Sequence, residues 1–276
     1  MLSETPLLVH ESNLRLAFFL GIFIIIALME WLWPRRRQET LRLKRWLDNL
    51  SLLAFAALLM RLILPLGLAS LALQFKQAHI GLFNQSDLLI NNYWLVLALS
   101  LIVLDFAIYW QHRLFHRVSF LWRLHQVHHS DKAFDVSTAL RFHPLEMLLS
   151  LMIKALIIAL LGIPASAVIV FEIVLNGVAM FNHGNLSIPL SLDKLLRKIL
   201  VTPDMHRVHH SSIPTETNSN FGFNISLWDR LFNSYQAQPL KGHEHIDIGL
   251  ADYPKKEQSQ GITRLLLMPF KSGPIK

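Results

Sequence analysis

Residues Asp105 to His129 read DFAIYWQHRLFHRVSFLWRLHQVHH, and the reading of this stretch decides the fold. It begins as an apolar run and ends as a row of histidines. His112 and His116 are four apart, and His125, His128 and His129 follow at a three-then-one spacing. Residues three and four apart share one face of a helix, so each group aims several imidazoles at one point. The second spacing returns at His206, His209 and His210 in MHRVHHS. One histidine alone is usually a hydrogen-bonded core or surface residue. Repetition across three distant helical turns points instead to metal ligation.

Working outward, composition sets the medium. Of 276 residues, 53% are hydrophobic and only 16% charged, far from an ordinary soluble domain. Several apolar stretches reach the roughly 20 residues needed to cross about 30 Å of hydrocarbon. The predicted fold class is therefore all-α: a polytopic membrane protein of four to five spanning helices, read as a single domain over 1–276. There is no cysteine, which excludes disulfides, thiolate zinc sites, iron–sulfur clusters and cysteine nucleophiles. The net charge of +7, set beside apolar spans, suits anionic lipid headgroups. No nucleic-acid partner is expected.

Upstream, spans are expected over 14–33 and 52–73, the second interrupted by Arg61 and Pro65. Residues 1–13 lack the basic start of a cleaved secretory signal. Arg35, Arg36, Arg37, Arg42, Lys44 and Arg45 follow the first span, and the positive-inside rule makes that loop cytoplasmic and the N-terminus external. A third span, 93–110, then delivers His112 and His116 to the cytoplasmic side. Downstream, Leu145 to Phe181 is broken by Gly162 and Pro164, which suits two helices in a hairpin. The hairpin returns His183 and then His206 to the same side, so every histidine group and the C-terminus are expected in the cytoplasm. Depending on the source, the membrane is the bacterial inner membrane or the endoplasmic reticulum. Residues 236–276 read as a polar tail, loose around Pro269 and Gly273, with His243 and His245 solvated.

Neutral imidazole binds iron, zinc, copper and nickel, whereas magnesium and calcium prefer oxygen. Eight or more nitrogens exceed what one ion accepts, so two ions in one pocket are expected. A histidine-rich site with room for O₂ suits iron; zinc can substitute in purified protein. His183 in FNHGN is read as a ninth ligand. Metal-bound histidines commonly donate their second N–H to a carboxylate or carbonyl; Asp105, Tyr109, His143 and Asn185 are the candidates for such supporting roles. Asp105, Tyr109, His112 and His116 fall on one helical stripe.

The segments DFAIYWQHRLFH, LWRLHQVHHS, TALRFHP, FNHGN, TPDMHRVHH and NFGFNISLWDRLFNSY, spread over about 105–235, together resemble the fatty acid hydroxylase/sterol desaturase superfamily of integral-membrane di-iron oxygenases. RFHP and the NFG to WDRLF region resemble this group more than the acyl-lipid desaturases. The resemblance implies O₂-dependent hydroxylation or desaturation of a lipid C–H bond, two iron ions, and a cytoplasmic helical cap over a membrane base. The metal ligands it implies are His112, His116, His125, His128, His129, His206, His209 and His210, with His183 at an additional position. An external electron donor of ferredoxin or cytochrome type, with its reductase, is also implied. The chain agrees, having no glycine-rich nicotinamide or flavin motif and no cysteine. Arg113, Arg117, Arg123, Lys132 and Arg207 are the basic residues expected to receive that donor.

Two other classes compete. A zinc hydrolase would carry HExxH or a nucleophile elbow, and neither motif is present. A histidine-rich metal transporter or metal-binding protein would place its ligands within the spans, whereas these histidines cluster beyond the span ends.

Overall fold

The computed structural model describes residues 10–38, 42–90 and 92–271. Glu4 of the N-terminal segment and Gly273 of the tail lie outside them. Helices dominate, and among the described residues the only β pairings are isolated bridges such as Pro34 with Leu186. Five helical stretches are long and apolar enough to cross a membrane.

Helix α1 spans Glu11–Leu32. Its run of Leu, Phe and Ile contains no proline, and it stops at Trp33 because Pro34 disfavours helical backbone in the residue before it. Leu16, Phe18, Ile24, Ile25 and Leu28 are exposed along it, an apolar face suited to lipid. Helix α2, Arg42–Ile63, and α3, Gly67–Gln77, make up the second apolar stretch. Pro65 lacks the N–H that would continue the ladder, and Gly67 takes a positive φ of 75° as the chain restarts. The second span therefore begins ten residues earlier than position 52, and its first turns belong to the cap. Arg61 is exposed in the last turn of α2, where it can snorkel.

Helix α4, Tyr93–Arg117, runs on past Trp110, so His112 and His116 are carried rigidly by a spanning helix. Val118 is extended, with ψ 115°, and α5, Ser119–His129, turns away from it. Helix α6, Pro144–Leu161, starts with Pro144 in its first turn and His143 capping the Leu145 N–H. It ends at Gly162 in the left-handed region, the usual helix C-terminal residue. Pro164 then opens α7, Ala165–Asn182, which is the expected hairpin.

The core between α3, α4, α6 and α7 is built from Leu68, Ala69, Ala72, Leu104, Ile108, Ile158, Val168 and Phe171. Helix α1 packs on α7 where Gly177 lets Ile22 approach; a Cβ there would lie 2.9 Å from Ile22 Cδ1. At one end of the bundle sits the cap, tied down by buried charge. Arg45 donates to Asp131 Oδ2 at 2.8 Å and also pairs with Asp135. Glu30 accepts the backbone N–H groups of Val136 and Asn185 at 2.7 and 2.9 Å and pairs with Arg42. Arg35 reaches Asp204 at 3.3 Å. The basic run after α1 is thus more than a flank for lipid headgroups, because Arg45 is only 2% exposed. The tail also departs from expectation. Leu265 and Met268 pack with Leu52 and Val127, and Ser259 offers its carbonyl to Arg141 at 2.7 Å, because the tail holds enough apolar side chains to cover the cap.

Candidate metal centre

All nine histidines named as ligands meet at the cap end of the bundle, and all are buried. They form two adjoining groups. His112, His116, His125, His129 and His209 make one; His128, His183, His206 and His210 make the other. Within each group the ligand atoms lie within 4.8 Å of one another. Helix α4 supplies two, α5 three and the end of α7 one. Helix α8, Leu190–Leu196, supplies none, and the remaining three come from α9, Pro203–His209, and its C-cap His210. Thr202 caps α9 by accepting the Met205 N–H, which starts the turn that aims His206, His209 and His210. The groups touch through the stacked His129 and His210, with ring centroids 4.6 Å apart, and through the stacked His206 and His209, 5.1 Å apart.

Backbone carbonyls set the tautomers. A carbonyl only accepts, so a ring nitrogen facing one must carry the proton. His112 Nδ1 faces Phe221 O at 2.8 Å, His183 Nδ1 faces Ala179 O at 2.8 Å, and His209 Nδ1 faces Ser219 O at 2.7 Å. His125 Nδ1 meets Glu146 Oε1 at 2.6 Å. Each of these rings, neutral, presents its Nε2 lone pair inward. Of these, His112 Nε2 and His125 Nε2 are 3.1 Å apart, an approach that is repulsive unless an electrophile sits between. His128 Nε2 and His206 Nε2 each lie 3.1 Å from the His183 Nε2 lone pair. The spacing equals the edge of a coordination polyhedron with metal–nitrogen bonds of about 2.1 Å. His209 Nε2 and both ring nitrogens of His210 have no hydrogen-bond partner in the fold. Burial pushes the imidazoles of His125 and His183 down to about 3, and burial with neighbouring rings pushes His128, His129, His206, His209 and His210 well below the usual value. They are neutral at physiological pH, the form that binds metal. The residues present fit a metal site.

The supporting residues differ from the sequence reading. Asp105 Oδ2 accepts from Trp228 Nε1 at 2.8 Å, and Tyr109 bonds Ser234 at 2.9 Å and Arg113 at 2.9 Å; neither meets an imidazole. His143 caps α6 and faces Leu266 O at 3.2 Å. Asn185 bonds the Arg36 backbone. These four therefore brace the cap on the bundle. Among the described residues, the carboxylate that meets one of the nine gathered imidazoles is Glu146, in the first turn of α6 and missed by the sequence reading; a lone acid at the head of an apolar span was the available signal. His243, expected in solvent, is 5% exposed beside Asp204 at 3.7 Å, because the tail folds over α9. Arg207 is fully buried, paired with Asp204 and lying over Phe134, so it is removed from the basic surface. Of the other four basic residues, Arg117 is exposed and Arg113, Arg123 and Lys132 are half-buried.

The fatty acid hydroxylase family model matches residues 97–234, half of the chain and the whole of the region that holds the nine histidines. The chain belongs to the fatty acid hydroxylase family. Among curated relatives of this family member, the ornithine lipid hydroxylase of Rhizobium tropici is 31% identical over 62% of this chain and 49% of its own length. The human alkylglycerol monooxygenase is 30% identical over 50% of this chain and 30% of its own. The Danio rerio alkylglycerol monooxygenase is 34% identical over 52% and 31%. The chain thus spans at most about half the length of these relatives. No solved structure matches it.

Proposed function

We propose that this protein is a membrane-bound di-iron oxygenase that hydroxylates or desaturates a C–H bond of a lipid, using O₂ and electrons from a separate carrier. The observation that carries the reading is the pair of adjoining, buried, all-imidazole groups, with His112 and His125 lining a cavity of about 520 Å³ whose walls are largely apolar. An aliphatic C–H bond has no acidic proton, so side-chain acid–base chemistry cannot open it, and bound iron would supply the oxidising power. The five-imidazole group would hold one ion and the four-imidazole group, His183 included, the other. Hydroxylation balances as one C–H and O₂, with two electrons and two protons, giving the alcohol and water; desaturation gives an alkene and two waters.

The chain's own contribution is position and dryness. Phe221, Ala179 and Ser219 carbonyls hold the imidazoles of His112, His183 and His209 in their ligating tautomer. Phe115 and Phe142 line the cavity beside His125 and keep water from the reacting carbon. The names of the relatives, both lipid hydroxylating or oxygenating enzymes, support a lipid substrate. Residues 1–276 are read as one domain, with the cap and C-terminus in the cytoplasm and the N-terminus outside, on the strength of the Arg35 to Arg45 charge. A transport role is disfavoured, since the ligands are gathered at one end of the bundle rather than strung along the spans.

Elemental analysis of iron-replete protein should return about two ions per chain, falling in His128→Ala and His209→Ala. Reaction with ¹⁸O₂, lipid extract, reductant and carrier should then give a labelled hydroxylipid or an unlabelled alkene, and none without the carrier. Fewer than about one ion per chain would sink the two-iron reading.

A further inference from the structure

The cavity beneath the imidazoles has one wall more polar than a hydrocarbon tail needs. On α6, Glu146, Ser150 and Lys154 are spaced four apart and all line it, which places them on one helix face. Helix α7 adds Glu172 and Asn176, also four apart and also lining it. The facing wall is apolar, from Phe19, Leu53, Ala56 and Met60.

This polar wall ends in an ion-paired group. Lys154 Nζ donates to Glu172 Oε1 at 2.7 Å, Arg15 pairs with the other oxygen of Glu172, and Arg15 Nη1 reaches Glu11 Oε1 at 3.2 Å. The side chains of Lys154 and Glu172 are each 13% exposed. Charges within spans are costly and mark a site by default, and Arg15, Lys154 and Glu172 line the same cavity as His112 and His125. Two cations and two carboxylates cancel. A ligand with net charge would therefore arrive uncompensated in a desolvated place, whereas a net-neutral polar head with donors and acceptors would be matched.

The spacing sets a length. Lys154 lies eight residues beyond Glu146, the partner of His125, or about 12 Å along the helix. An extended chain advances about 3.4 Å per three bonds, so about ten bonds cover that distance.

We propose that Arg15, Lys154 and Glu172 seat the polar head of a net-neutral amphiphile whose chain runs back to the imidazoles. Oxidation then falls about ten bonds from the head, a clause that rests on the oxygenase reading; the binding site itself does not.

The test is binding by the purified full-length protein in nanodiscs, without reductant, read by native mass spectrometry. The probes are monolaurin, dodecane, dodecanoate and dodecyltrimethylammonium. Monolaurin should bind about tenfold tighter than each of the others, as one or two well-placed hydrogen bonds warrant. The double variant Lys154→Met with Glu172→Leu keeps the net charge and, as a buried pair replaced by apolar side chains, is expected to fold; it should lose the preference and keep the dodecane affinity. His209→Ala should keep the preference. Equal affinity for monolaurin and dodecane, or a preference surviving in the double variant, would overturn the proposal. A preference in protein that oxidises nothing supports the head site and counts against the oxygenase reading instead.

Discussion

Glu146 shows how one side chain governs the ligand set. Its Oε1 holds His125 Nδ1 at 2.6 Å, and its Oε2 has no hydrogen-bond partner in the fold. Removing such a partner costs a metal ligand its orientation and about 10- to 100-fold in affinity. Glu146→Ala should therefore release one ion, that of the five-imidazole group, at a chelator concentration that leaves the other bound, and Glu146→Gln, which keeps an acceptor, should fall between. Elemental analysis across a chelator series reads this. Equal loss of both ions, or of neither, would contradict the assignment of Glu146 to His125 alone.

At the level of elements, the cap is held by short pieces folded against α9 and α5, and one of them reports on pH. The turn Gly242–His245 buries His243 beside Asp204, Arg207, Arg35 and Arg197; burial is the largest influence, and it pushes the imidazole down to about 4. The folded form therefore holds His243 neutral while the unfolded chain takes up a proton below about 6.5. Its contribution to stability is complete above that value and is lost as the pH falls through about 4. Thermal unfolding of detergent-solubilised protein should show a shallower acid decline between about pH 6.5 and pH 4 in His243→Asn than in the parent. Parallel declines would show that this imidazole titrates in the fold as freely as it does unfolded.

For the whole molecule, the proposed orientation in the membrane rests on charge beside the first span, and the absence of cysteine makes it easy to test. Gln85, exposed, lies in the α3–α4 connection, and Ser119, also exposed, lies at the start of α5 on the cap side. On the proposed orientation, cap in the cytoplasm, Gln85→Cys should react with an impermeant thiol reagent in intact cells and Ser119→Cys only after lysis. The reverse pattern would invert the topology and place the metal centre outside.

The sequence by itself determined the apolar spans and the helical class and singled out nine histidines that the fold gathers, because hydrophobic run length and three-and-four spacing are local properties that survive without a tertiary structure. It also settled the hairpin, since Gly162 and Pro164 act on their own backbone. Only the tertiary structure decided which imidazoles share a group. His183 joins His128, His206 and His210 through contacts across 55 and 23 positions of chain, and no local pattern encodes those. It likewise decided that Asp105 serves Trp228 while Glu146 serves His125, and that Arg45, Arg207 and His243 are buried. A charged residue near a span end looks the same in sequence whether water or a carboxylate awaits it. The difference is made by partners from distant segments, which exist only once the chain has folded.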